Sequence, residues 1–318
     1  MIQRNNIEQK DLQPDQFRAV LRVTGRVITF SKKGAPYLKL RLESCDTDLA
    51  GFVNMETHCI ADDIGYLDLV EVCGPILTTS TRRFLLIDQI EKASRESFQR
   101  LPALETLPTS LAAKPESLAT LVCWVRDLTN PHLREFARHT LERRDRLEVF
   151  LNAPASRRYH HSFAGGLLDH SLEVARGVVG MAQLQEPDMP QGLREAGFVA
   201  GLFHDIGKVF TFDAVGQHTA AATLSDHDAF TLEACASGLA YLDRHQPEIA
   251  MTLRHIWTCA SPGARYGSPA AMTLARYVRD ADGQNAMATN QRAAFGNRPW
   301  EGFSRIGRNQ YWQPGLIP

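Results

Sequence analysis

The spacing of apolar residues changes once along this chain, and that change divides it. Up to Ile90 they recur at every second position. Phe17, Ala19, Leu21, Val23 and Val27 alternate with Arg18, Arg22 and Arg26, and Leu38, Leu40 and Leu42 alternate with Tyr37, Lys39 and Arg41. A period of two places one set on a buried face and the other on an outer face, so it predicts strands. Lys32-Lys33-Gly34-Ala35-Pro36 reads as the turn between the first two, and similar runs follow at Leu49 to Asn54, Leu67 to Leu77 and Arg83 to Ile90. Residues 95–116 then carry Pro102, Pro108 and Pro115 among Ser and Thr, a stretch rich in chain breakers. Beyond it the period lengthens. Leu118, Leu121, Val122, Val125 and Leu128 recur at helical spacing, and Pro131 opens a further helical run through Phe136 to Phe150.

Five short strands with cations on one face predict a small OB-like β-barrel, followed by an all-α domain, so the fold class is multidomain α+β. The expected boundaries are a nucleic-acid-binding domain at 1–94, a linker at 95–116, a helical domain at 117–292 and a tail at 293–318. A chain of 318 residues with 44% hydrophobic and 22% charged residues can bury the cores of two domains. The polar start, Met1 to Lys10, has no apolar leader pattern, and no window is long and apolar enough for a membrane span. The six cysteines include no CxxC pair, which disfavours thiolate zinc sites and disulfide frameworks and points to reduced thiols in a cytoplasm.

The net charge of −1 argues against a general polyanion binder, yet charge is segregated locally. From Phe17 to Arg41 every charged residue is basic, and from Leu42 to Glu71 every one is acidic. Arg18, Arg22, Arg26, Tyr37, Lys39 and Arg41 are therefore candidates for contacting single-stranded RNA or DNA, through phosphate contacts and base stacking. The competing reading is an ordinary solvated strand face.

The chemistry begins at Arg157-Arg-Tyr-His-His-Ser-Phe-Ala-Gly-Gly-Leu-Leu-Asp-His170. His170 falls inside an amphipathic helix, where a single histidine is usually structural. Its company changes that. A helical run from Leu193 to Phe203 ends in His204-Asp205-Ile206-Gly207-Lys208, and Asp282 follows in Tyr277-Val-Arg-Asp-Ala-Asp282. Imidazoles with carboxylates and no thiolate suit divalent iron, manganese, nickel or zinc. The order His170, His204-Asp205, Asp282 resembles the H...HD...D ligand pattern of the HD superfamily of phosphohydrolases, and eight of the eleven histidines fall between His160 and His255.

A closer resemblance is to the YhaM-type 3'-to-5' exoribonucleases. It is carried by Ala153 to His170, by His227 and His255, and by the segment from Gly267-Ser-Pro269 to Asp282. It implies an OB domain before an HD domain and manganese-dependent shortening of single-stranded RNA or DNA, with magnesium a further alternative ion. It also implies His227 and His255 as imidazole ligands of a second ion bridged by Asp205. Two positions depart from that family: His255 is followed by Ile256 instead of a second histidine, and Asn285 stands where a second aspartate is expected. One or two ions are thus expected. The string Gly165 to Ala175 also resembles the HD domain of TraI/MobH-type conjugative relaxases, which keeps a DNA-processing role open. An HD nucleotidase acting on free nucleotides needs the same ligands without a basic groove.

The expected mechanism is metal-assisted hydrolysis of a phosphodiester. Asp205 is a ligand and catalytic group, and Lys208, four residues after His204, would face the scissile phosphate if the helix persists. His160 and His161 would contact phosphate or support the ligands. In the tail, Arg298, Arg305 and Arg308 interleave with Trp300, Phe303, Tyr311 and Trp312, which suits either base stacking or packing against the helices.

Overall fold

The computed structural model describes residues 16–31, 33–56, 64–78, 82–93, 103–141, 143–157, 159–260, 267–296 and 301–315. Lys32, Pro102, Arg298 and Trp300, named above, lie outside them. Two compact units form, Met1–Pro108 and Thr109–Pro318.

The first unit is a six-stranded sheet: β1 (Gln16–Phe30), β2 (Pro36–Glu43), β3 (Asp48–Asn54), β4 (Leu69–Thr78), β5 (Arg83–Leu86) and β6 (Gln89–Lys92). Its order is β1-β2-β3-β5-β4-β6, and β1 also pairs with β4, so the pairings return on themselves. All pairs are antiparallel except β3 with β5. The expected fifth strand is two strands. Its register against β4 slips by one residue, from Ile76 opposite Leu85 to Cys73 opposite Gln89, because Ile87 turns its N–H to the Phe52 carbonyl. Leu21, Val23, Leu38, Leu40, Leu42, Val53, Val70 and Leu85 fill the core. Val27 was expected among them but is 56% exposed. An irregularity in the β1–β2 register between Val23 and Gly25 ends the strict alternation, so the far end of β1 no longer follows the inward pattern of its start.

The charge segregation along the sequence becomes pairing in space. Arg18 meets Glu71, and Arg41 meets both Glu43 and Asp48. Arg22 donates to the Leu67 carbonyl and Thr106 Oγ1, and Arg26 donates to the Ile64 carbonyl. Most of the expected nucleic-acid cations therefore carry structural contacts. Lys39 lies over the Phe52 ring at 6.0 Å, and its neighbour Tyr37 pairs with Asn54 across the strands. The proline-rich stretch is partly ordered, with 3-10 turns at Ala103–Thr106 and Thr109–Leu111.

The second unit is helical. Proline opens the helices Pro115–Arg126, Pro131–Leu141 and Pro247–Thr258, where its missing N–H costs nothing. The run expected from Pro131 to Phe150 is two helices, the second being Arg144–Asn152. No Gly or Pro marks the break; the halves pack on different partners, the first against Ala236–His245 and the second against Gly166–Gln185. The long helices Gly166–Gln185, Gln191–Leu202 and Thr273–Phe295 pack together around Leu167, Val174, Val178, Val199, Leu274 and Val278. Phe203 joins this core to Phe136, their rings 5.8 Å apart and edge to face. The tail forms a hairpin, β7 (Gly302–Ile306) with β8 (Asn309–Gln313), packed on Thr273–Phe295. Among the described residues no helix is long and apolar enough to cross a membrane.

Candidate metal centre

Three parts of the helical unit deliver the site. Gly166–Gln185 carries His170, the turn after Gln191–Leu202 carries His204 and Asp205, and Thr273–Phe295 carries Asp282. The first helix starts where it does because Gly166 admits the His161 carbonyl; a Cβ there would lie 2.1 Å from that oxygen. The second helix stops at Leu202, and the chain turns through Gly207, where a Cβ would lie 2.1 Å from the His227 carbonyl. Lys208 therefore does not continue the His204 helix as expected, and it opens a separate short helix.

His170 Nε2 lies 3.3 Å from Asp205 Oδ2 and 3.1 Å from Asp282 Oδ1; His204 Nε2 lies 3.5 and 3.8 Å from the same oxygens. Both Nε2 atoms are buried and make no hydrogen bond of acceptable geometry. An orphaned buried nitrogen is costly unless something fills the space it faces. Bonds of about 2.1 Å to one cation put adjacent ligand atoms about 3 Å apart. His170, His204 and Asp205 form one potential ligand cluster and His160, His170 and Asp282 another, with His170 shared, and these donor types fit a divalent ion.

The other nitrogen of each ring is tied down. His204 Nδ1 lies 2.7 Å from the Gly201 carbonyl, which can only accept, so Nδ1 carries the proton and Nε2 presents its lone pair. His170 Nδ1 lies 2.8 Å from Asn285 Oδ1. The Asn285 amide nitrogen donates to Glu173, which fixes the amide orientation because an ionised carboxylate accepts only. Glu173 in turn lies 3.4 Å from His161 Nε2. The chain His170–Asn285–Glu173–His161 thus aims the His170 lone pair into the centre. Sequence reading missed Asn285 and Glu173 as contributors. The available signal was spacing, since Asn285 follows Asp282 by three residues and Glu173 follows His170 by three, placing each pair on one helix face.

Charge is concentrated here. Burial opposes a proton on His170, but the Asp205 and Asp282 carboxylates outweigh it and raise its pKa to about 9. Burial likewise opposes charge on Asp205, yet the Lys208 ammonium and the adjacent histidines hold it well below the usual carboxylate range. Lys208 Nζ sits 2.5 Å from Asp205 Oδ2 and is itself buried. It is therefore bound to the ligand carboxylate on the side facing His170. On the other side Asp205 Oδ1 lies 2.9 Å from His227 Nε2, whose surroundings include Asp226 and Asp228.

His160 joins His170 and Asp282 in one potential ligand cluster, its ring 5.0 Å from that of His170. Burial, then the charge on His170, lower its pKa to about 4. His161 is 4% exposed, with a left-handed φ of 48°, and supports the centre through Glu173. His255 falls in none of the potential ligand clusters among the described residues, and its Nε2 accepts the Ala271 N–H at 2.9 Å. A cavity of about 700 Å³ opens over His160, Lys208 and His227, with Tyr159, Phe212 and His218 among its walls.

The sequence has relatives of known activity. The 3'-5' exoribonuclease YhaM of Listeria monocytogenes serotype 4b (strain CLIP80459) is 24% identical over 241 residues, covering 75% of this chain and 74% of that protein. The YhaM of Listeria innocua serovar 6a is 25% identical over 245 residues with the same coverage. The TraI_2 family, described as a putative helicase, matches residues 116–227. Among solved structures, the PriB protein of Ralstonia solanacearum is 12% identical, with 25% of this chain and 97% of that chain covered, at a TM-score of 0.22, too low to assign a fold. The chain is thus similar to the YhaM exoribonucleases along 75% of its length, and to TraI_2 across the stretch that supplies His170, His204 and Asp205.

Proposed function

We propose that this chain is an HD-type, metal-dependent phosphodiesterase that removes nucleotides from the 3' end of single-stranded RNA or DNA. The observation that carries the reading is the convergence of His170, His204, Asp205 and Asp282 with two orphaned buried imidazole nitrogens. Manganese is the favoured ion, and iron, nickel, magnesium or zinc share enough of its ligand preferences to compete. When bound, the ion supplies Lewis acidity and an acidified water. The protein's own groups prepare the site. Asn285 and Gly201 orient the two imidazoles, and Lys208 offsets the charge of Asp205. His160, neutral at pH 7 with a pKa of about 4, offers a hydrogen bond to phosphate at the cavity floor. Asp205 and His227 would hold a second ion, and His255 could add its Nε2 only by giving up the Ala271 N–H.

The returning pairings of β1-β2-β3-β5-β4 support reading the first unit as an OB-like barrel that holds the strand, with Tyr37 and Lys39 as contacts. The test is incubation of end-labelled single-stranded RNA and DNA with manganese. A ladder shortening from the 3' end is expected, and inert polymers with rapid turnover of mononucleotides would overturn the reading. The TraI_2 match favours a second reading, a DNA-processing enzyme. Cleavage confined to DNA would select it.

A further inference from the structure

The C-terminal hairpin is absorbed by neither the metal centre nor the first unit. Its strands alternate cleanly. Ser304 is buried and donates to the Ala294 carbonyl, and Ile306 and Tyr311 are half-buried, so this face lies against Thr273–Phe295. The opposite face carries Phe303 paired across the strands with Trp312, then Arg305 paired with Gln310. Phe303 is 71% exposed and Trp312 57% exposed. Two large rings opposite each other on a solvated ribbon gain little by staying in water.

Position and charge say what covers them. The hairpin turn rests on the catalytic unit at Tyr159, where a Cβ on Gly307 would lie 3.2 Å from the ring. Tyr159 is itself a wall of the cavity over His160 and Lys208. From Glu301 to Pro318 the charged side chains are Arg305, Arg308 and Glu301, whose carboxylate lies beside Gly315 at the open end of the ribbon. A surface of exposed rings and guanidinium groups, with no carboxylate on either strand, complements a polyanion whose bases are unpaired.

We infer that the outer face of this hairpin is a stacking platform for a single-stranded polynucleotide, holding the part of the strand that trails from the cavity. The inference rests on the proposed nuclease reading and names a subsite for its polymeric substrate. Phe303 and Trp312 take bases, and Arg305 and Arg308 take phosphates. These side chains position substrate and do not touch the reacting phosphate, so their loss raises KM for long strands and leaves small diesters untouched.

The experiment uses the full-length, manganese-loaded protein and the double variant Phe303→Ala/Trp312→Ala. Turnover of bis(4-nitrophenyl) phosphate and of a dinucleotide is expected to stay at the wild-type level, while KM for a long labelled single strand rises about tenfold or more, the scale of losing a stacked base. The pair Phe303→Tyr/Trp312→Phe restores it. Independently, a single strand added to the metal-free protein quenches tryptophan fluorescence, and Trp312→Phe removes most of that quench. Unchanged KM and unchanged quench would overturn the inference. So would a shift in oligomeric state as the sole effect, which would make a second copy the occupant. If the double variant loses small-diester turnover through misfolding, the fluorescence comparison with Trp312→Phe decides. Polymer binding that needs Trp312, without cleavage of the polymer by wild type, would retain the platform and sink the nuclease reading.

Discussion

Replacing Asn285 by alanine tests whether the centre depends on an aimed imidazole. His170 is fully buried, and its Nδ1–H has one acceptor, the Asn285 side-chain oxygen at 2.8 Å. Truncation leaves that donor unsatisfied in a packed helix interface, at a cost of about 1–3 kcal/mol. The ring can then recover a partner only by rotating, which withdraws Nε2 from Asp205 and Asp282. At about 1.4 kcal/mol per tenfold, the cost corresponds to a loss of metal affinity of roughly tenfold to a hundredfold, the range found when partners of ligating histidines are removed. Manganese titration by calorimetry reads the affinity directly, and circular dichroism checks the fold. Asn285→Asp keeps an acceptor for His170 but sets a second carboxylate beside Glu173, so it should bind metal more tightly than Asn285→Ala. Wild-type affinity in a folded Asn285→Ala protein would refute the reasoning, as would equal affinities of the two variants.

Other perturbations have equally definite outcomes. His204→Ala and Asp282→Ala each remove a ligand and should abolish both metal content, measured by elemental analysis, and diester hydrolysis; retained metal in either would show that the ion sits elsewhere. Lys208→Ala strips Asp205 of its buried counter-charge, so the metal-free protein should lose about 3–5 kcal/mol and the manganese-loaded protein clearly less; equal melting shifts with and without manganese would contradict this. The pKa of His170 is raised from its ordinary value to about 9, so its contribution to metal-free stability is complete below about 6.5 and fades as pH climbs towards 9. Over the same interval manganese affinity should rise, because each ion displaces that proton. Calorimetry in buffers of differing ionisation enthalpy should find about one proton released near pH 7.5, and none released would be decisive against it. Phe203→Ala, which opens a cavity beside Phe136 and Phe150, should cost about 3–5 kcal/mol in urea unfolding.

Much of this protein is legible in its sequence because local rules suffice. Alternation predicts β1 to β4 since a strand's faces are set by consecutive residues. Prolines mark helix starts at Pro115 and Pro131 since their rings cannot donate. The proposed ligand set His170, His204, Asp205 and Asp282 is readable because its residue types and order resemble a known pattern. What the sequence could not reveal was the company each group keeps. Arg18 and Arg41 read as cations on an open strand face, and folding brings Glu71 and Asp48 beside them. Lys208 reads as a continuation of the His204 helix until the chain turns at Gly207 and sets its ammonium against Asp205. Asn285 looks like a lost ligand until Gly166–Gln185 and Thr273–Phe295 pack and put its oxygen on His170. The pairings of Arg18 with Glu71 and of His170 with Asn285 join residues far apart in the chain, 115 positions for the latter, whereas Arg41 with Asp48 and Lys208 with Asp205 are close in sequence and depend on the turns between them. Local patterning carries no information about such distances; only close packing of the helices and closure of the strand pairings settle which charges meet.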